Sequence, residues 1–64
     1  MNEDLSKLIY FEFRPIGRQM RVTAIDGQSG AEAVVIAPIG APRRDLEQLA
    51  ARKLRRSLEM AGNG

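Results

Sequence analysis

The side chains best suited to binding chemistry are basic and sit late in the chain. Arg43 and Arg44 are adjacent and follow Pro42, and Arg52, Lys53, Arg55 and Arg56 crowd into the next stretch. Guanidinium groups make forked, charge-assisted hydrogen bonds to carboxylates and phosphates, so the chemistry on offer is anion recognition. At the start of a helix, Arg43 and Arg44 would add two cations to free backbone N–H groups and form an anion site. Further along, Arg52, Arg55 and Arg56 would face a nucleic-acid backbone. A plainer reading competes with both. Asp45 and Glu47 lie close enough to offset Arg43 and Arg44, and Glu59 falls at i+4 and i+3 from Arg55 and Arg56. A helical charge run of this size is usually a solvated face, and that reading is favoured for both groups.

Catalytic chemistry is poorly supplied. The chain holds no Cys and no His, which removes thiolate nucleophiles, imidazole bases, disulfides and zinc sites of the Cys/His kind. Ser6, Ser29 and Ser57 remain as nucleophiles, and none has a base beside it in the sequence. The carboxylates are scattered, with no paired acid/base arrangement, no phosphate-cradling glycine loop and no calcium loop. Asp26 in Asp26-Gly27 could ligate a metal. A lone carboxylate seldom suffices, and Asp in a tight loop ordinarily caps the turn. The sequence therefore reads as non-enzymatic, with no cofactor and no metal.

The elements that would position these groups are legible from periodicity. Leu8 to Arg14 alternates, with Ile9, Phe11 and Phe13 on one face and Tyr10, Glu12 and Arg14 on the other, which predicts a strand over 8–14. Pro15-Ile16-Gly17 reads as a turn. A second alternating run over 19–26 places Met20, Val22 and Ala24 on one face and Arg21, Thr23 and Ile25 on the other. Asp26-Gly27-Gln28-Ser29-Gly30 is a compact hairpin loop. A third strand over 31–37 is apolar nearly throughout, which suggests burial on both faces. After Pro38-Ile39-Gly40-Ala41-Pro42 the period becomes helical over 43–61. Leu46, Leu49, Ala50, Leu54, Leu58 and Ala61 form its apolar stripe, with Met60 at the edge. The prediction is an α+β fold: a three-stranded antiparallel meander covered on one face by a C-terminal helix.

Sixty-four residues make one domain, 1–64, with the ends at about 1–6 and 62–64 expected to be flexible. An acidic N-terminus, unlike a signal peptide, and an apolar run far short of the ~20 residues of a membrane helix point to a soluble cytoplasmic protein with no membrane partner. Charge is uneven. Residues 1–40 carry four cations and five carboxylates, and residues 41–64 carry six cations and three carboxylates. A chain this short buries only ~60% of its unfolded surface, and with disulfides and zinc excluded a partner chain is the remaining support. Self-association, or binding another protein, is the favoured expectation. Tyr10 and Ile25 on the outer sheet face, with Val34, Val35 and Ile36 on an unprotected edge strand, are the candidate contacts. Nucleic-acid binding through Arg43, Arg44, Arg52, Arg55 and Arg56 is the alternative.

Tyr10-Phe11-Glu12-Phe13, Ala24-Ile25-Asp26, Ser29-Gly30-Ala31-Glu32 and a helix pattern running from Leu46 through Leu49-Ala50 and Lys53-Leu54 to Leu58 occur in order. Together they resemble a family of very short uncharacterised alphaproteobacterial proteins classed as a domain of unknown function. The resemblance spans about Leu8 to Leu58 and implies a bacterial cytosolic protein, without an activity or site residues. Strands followed by a helix opening on Arg43-Arg44 are also similar to the second half of double-stranded-RNA-binding domains, where a basic pair touches phosphates. The first helix, the histidine-bearing loop and the glycine-rich approach of that family are missing here. The three-stranded integrase-type DNA-binding domain is an analogue at the level of fold alone.

Overall fold

The computed structural model describes residues 8–62, and the ends expected to be flexible fall largely outside them. Three strands, β1 (Ile9–Ile16), β2 (Gln19–Asp26) and β3 (Glu32–Pro38), precede one helix, α1 (Arg43–Gly62). The sheet is antiparallel in the order β1-β2-β3, so β2 is central and β3 lies at an edge. This is the predicted α+β meander with a C-terminal helix.

Each strand presents alternate residues to opposite faces. Phe11, Ala24 and Ala33 stand in one cross-strand row, and Phe13, Val22 and Val35 in the next. These rows face α1. The opposite face carries the rows Tyr10–Ile25–Glu32, Glu12–Thr23–Val34 and Arg14–Arg21–Ile36. Glu32 and the outward apolar residues of β3 thus complete the same face.

The first strand runs two residues further than its alternation predicts. Pro15 and Ile16 remain in β1, and the turn is Gly17-Arg18 alone. Hydrogen-bond parity explains why the proline is tolerated. The amide of Gly27 donates to the carbonyl of Leu8 at 2.9 Å, so Leu8 and Gly27 form a bonded pair and every second residue along β1 points its polar groups at β2. Pro15 falls on the other parity. Its missing N–H would have faced the open edge. Gly17 then takes φ +60 as the first central residue of a two-residue hairpin, as a type II′ turn requires.

Burial on both faces of β3 is not what the structure shows. Ala33 is buried, Val34 and Val35 are half-buried, and Ile36 is 52% exposed. A single helix covers one face only.

Pro42 sits one residue before α1, and its carbonyl accepts the amide of Leu46 at 3.2 Å, closing the first turn. The helix packs Leu46, Ala50 and Leu54, with Leu58 partly buried, against Val22, Ala24 and Ala33, and Ala51 is also buried. Two members of the predicted stripe lie elsewhere. Leu49 is 47% exposed and Ala61 is exposed. The core ridge advances in steps of four, through residues 46, 50, 54 and 58. Because 3.6 residues make a turn, that ridge drifts round the helix and leaves Leu49 on the flank.

The helix crosses the sheet diagonally. Near its start, the Arg43 guanidinium lies 4.1 Å over the Phe13 ring of β1. Ten residues later Lys53 reaches the backbone of β3 at Val34. Its main contacts are with β3 and β2, which leaves Ile9, Phe11 and Phe13 on β1 only partly covered.

These positions predict a contrast in stability. Leu54→Ala opens a cavity in a fully enclosed site and should cost ~2–5 kcal/mol, a large share of what so small a core provides. Leu49→Ala should cost under ~1 kcal/mol. Denaturant midpoints of the two variants against the parent measure the difference, and equal losses would refute the flank assignment.

Candidate interaction groove at the β3 edge

The edge of β3 is an incomplete hydrogen-bonding surface. The amide of Asp26 donates to the carbonyl of Ala31 at 2.8 Å, which fixes the parity between β2 and β3. Residues 33, 35 and 37 therefore bond inward to β2, and the N–H and C=O groups of Glu32, Val34 and Ile36 point out of the sheet. Pro38 shares that outward parity and offers no N–H.

One of these outward groups is engaged. The Lys53 ammonium donates to the Val34 carbonyl at 2.6 Å. A lysine over an edge strand is a recurrent means of blocking unwanted strand pairing. Here it comes from the helix rather than the strand, because the diagonal crossing carries the flank of α1 past the sheet edge.

That flank contains Leu49, Lys53, Arg56 and Met60, at i, i+4, i+7 and i+11. Between it and β3 lies an open groove of about 540 Å³. Val35 and Leu49 supply its apolar wall on the α1 side, Val34 and Ile36 bound it along the sheet edge, and Arg52, Lys53 and Arg56 form its basic rim. Leu49 is about half exposed, so the apolar wall on the α1 side is accessible.

The residues expected to mediate self-association divide. Val34, Val35 and Ile36 come together around the β3 edge. Tyr10 and Ile25 pair across β1 and β2 on the outer face, in a separate row from Val34 and Ile36. Between them, Glu12, Arg14, Arg21, Thr23 and Glu32 line a shallow polar depression of about 180 Å³. Thr23 is 9% exposed at its centre, screened by the longer side chains around it.

The expected anion-contacting residues divide as well. Arg52 and Arg56 join the groove, whereas Arg55 is exposed and does not line it. Arg43 stacks on Phe13 and makes a loose ion pair with Glu47 at 3.9 Å, the i+4 contact that the plainer reading expects. Arg44 is exposed in the first turn, roughly 12 Å along the helix axis from Arg52. The two basic groups do not form one site. Lys53 is legible beforehand only as one charge among several. The signal that distinguishes it is its place one turn after Leu49, on a flank that holds further cations.

Asp26 caps its loop. Its Oδ2 accepts both the Ser29 amide at 2.8 Å and the Ser29 hydroxyl at 2.7 Å, and the Ser29 Oγ accepts the Ala31 amide at 3.1 Å. Gly30 takes φ +78 to close the turn. Among the described residues no three metal-ligating side chains gather, and no helix is long and apolar enough to cross a membrane.

A family model, described as a domain of unknown function (DUF6898), matches residues 6–61. The chain belongs to the DUF6898 family. No curated protein and no solved structure matches it. Membership carries no activity, so the groove is read on its own chemistry.

The Asp26 loop yields a pH dependence. Hydrogen bonds from the Ser29 hydroxyl, then from the Ser29 amide, hold the Asp26 carboxyl below its usual value. A carboxyl lowered in the folded state stabilises above its unfolded pKa, and that contribution is lost as pH falls through the folded value. Asp26→Asn should therefore be less stable than the parent at neutral pH. The gap should narrow below about pH 4. Thermal melts of both proteins across pH 2–7 check this, and a gap independent of pH would remove the carboxylate's role.

Proposed function

We propose that this DUF6898 protein is a small non-enzymatic interaction module that recruits another chain by strand addition along β3. The observation that carries the reading is the outward backbone of Glu32, Val34 and Ile36 beside an accessible apolar groove. In strand addition, main-chain hydrogen bonds supply affinity and side-chain pockets supply selectivity. The β3 edge offers the first and the Leu49 flank of α1 the second. The incoming strand belongs either to a second copy of the chain, giving self-association, or to a different protein. A small core gains support from either.

Nucleic-acid binding has weaker support. Arg43 is engaged with Phe13 and Glu47, and Glu12 and Glu32 share the outer face with Arg14 and Arg21. A phosphate backbone favours an unbroken basic surface.

Val34→Pro tests strand addition with little effect on the fold. The Val34 amide points away from β2, so proline removes no bond within the sheet and deletes one outward donor in the middle of the edge. The variant should melt within ~1 kcal/mol of the parent. It should also lose whatever association sedimentation or light scattering shows across a concentration series of the parent, and any partner retained by immobilised parent. Association unchanged by Val34→Pro would exclude β3 as the binding edge.

A further inference from the structure

We infer that the chain seated in the β3–α1 groove is an extended segment of a different protein carrying an acidic side chain, and that Lys53 selects it by passing its hydrogen bond from the Val34 carbonyl to the incoming carboxylate. This rests on the strand-addition reading and adds the chemistry of the occupant.

The starting point is an obstacle. The Val34 carbonyl is the middle acceptor of the open edge, and the Lys53 ammonium already occupies it at 2.6 Å. A strand adding to β3 needs that acceptor for its own amide. Lys53 must then release it, and the displaced ammonium, at the exposed mouth of a groove walled by Val35 and Leu49, takes its next partner from water or from the incoming segment. A neutral segment leaves it to water. A segment with Asp or Glu next to the bonding amide provides a carboxylate within reach of the same flexible stem, and the exchange gives a charge-assisted hydrogen bond in place of the one lost. Arg52 and Arg56 line the same groove and favour the same charge.

The charges also distinguish a different protein from a second copy. Antiparallel pairing of β3 with its own duplicate is related by a two-fold axis normal to the sheet, which keeps both helices on one side. In a pairing centred on Val34, where Lys53 lies, the two flanks face each other across the axis and the Arg52, Lys53 and Arg56 cluster of each copy opposes that of the other. Like charges at an interface oppose that pairing and leave an acidic segment as the complementary occupant.

The test uses the whole chain and three fluorescein-labelled nine-residue peptides. Each alternates Thr and Val around a central residue that is Glu, Gln or Lys. Anisotropy titrations at about 50 mM salt, where charge contacts are weakly screened, should rank them Glu, Gln, Lys, with about tenfold between Glu and Lys. Lys53→Met keeps an apolar stem of similar length and should bring the Glu and Gln peptides within about twofold of each other. Arg52→Gln with Arg56→Gln should narrow the ranking only partly. Val34→Pro should weaken all three peptides together.

Equal binding of the three peptides would overturn the acidic selectivity and leave strand addition standing. No binding by any of them would overturn both. A concentration-dependent dimer that excludes the Glu peptide would overturn the inference in favour of a second copy. Tighter binding of a labelled twelve-nucleotide oligothymidine, indifferent to Val34→Pro, would overturn it in favour of nucleic acid.

Discussion

Everything in this molecule depends on how one helix seats on three strands. The contact is made by Leu46, Ala50 and Leu54 on α1 and by Val22, Ala24 and Ala33 on the sheet. Alanines on both sides allow close approach, so the helix settles over β2 and β3 and cannot also cover β1. A helix is about 10 Å wide with its side chains, and three strands with theirs are wider. The diagonal crossing shares out the deficit. At one corner Ile9 and Phe11 are incompletely covered, and at the opposite edge the flank of α1 overhangs β3. The groove is the geometric remainder of that seating.

Much of this architecture was legible in the sequence because period and face are local properties. Ile9, Phe11 and Phe13 alternate with charged or polar neighbours, and Leu46, Ala50, Leu54 and Leu58 recur at helical spacing. The errors arose where a neighbour decides. Pro15 looks like a turn residue until the hydrogen-bond parity of β1 against β2 shows that its lost donor is not needed. Leu49 looks like a core residue until the ridge beside it takes the contact. The apolar run in β3 looks doubly buried until the helix is seen to cover one face. The groove was the least legible feature, because it joins Val34 to Lys53, nineteen residues apart, through a crossing angle that no local pattern encodes.

Electrostatics in this chain is a matter of placement rather than of net charge. The total is only +2, and the exposed Arg43–Glu47 pair contributes little to stability. Position gives individual charges their meaning. Asp26 is bound into its loop by Ser29. Arg43 covers an aromatic ring that the helix leaves partly open. Lys53 rests on a strand edge. Each cation or anion serves where the hydrophobic packing stops short.

The two prolines of the sheet, Pro15 on β1 and Pro38 on β3, both turn their missing amide toward solvent, and the register places them at the same end of the sheet. In the language of polymer chemistry, an antiparallel sheet with two open edges is a bifunctional monomer, and head-to-tail joining of unlike edges propagates without limit. Pro15 deletes a donor from one edge. Pro38 deletes a donor from the other, and Lys53 masks the Val34 acceptor further along that edge. The chain thus carries its own terminators on both open edges, and they discourage a filament.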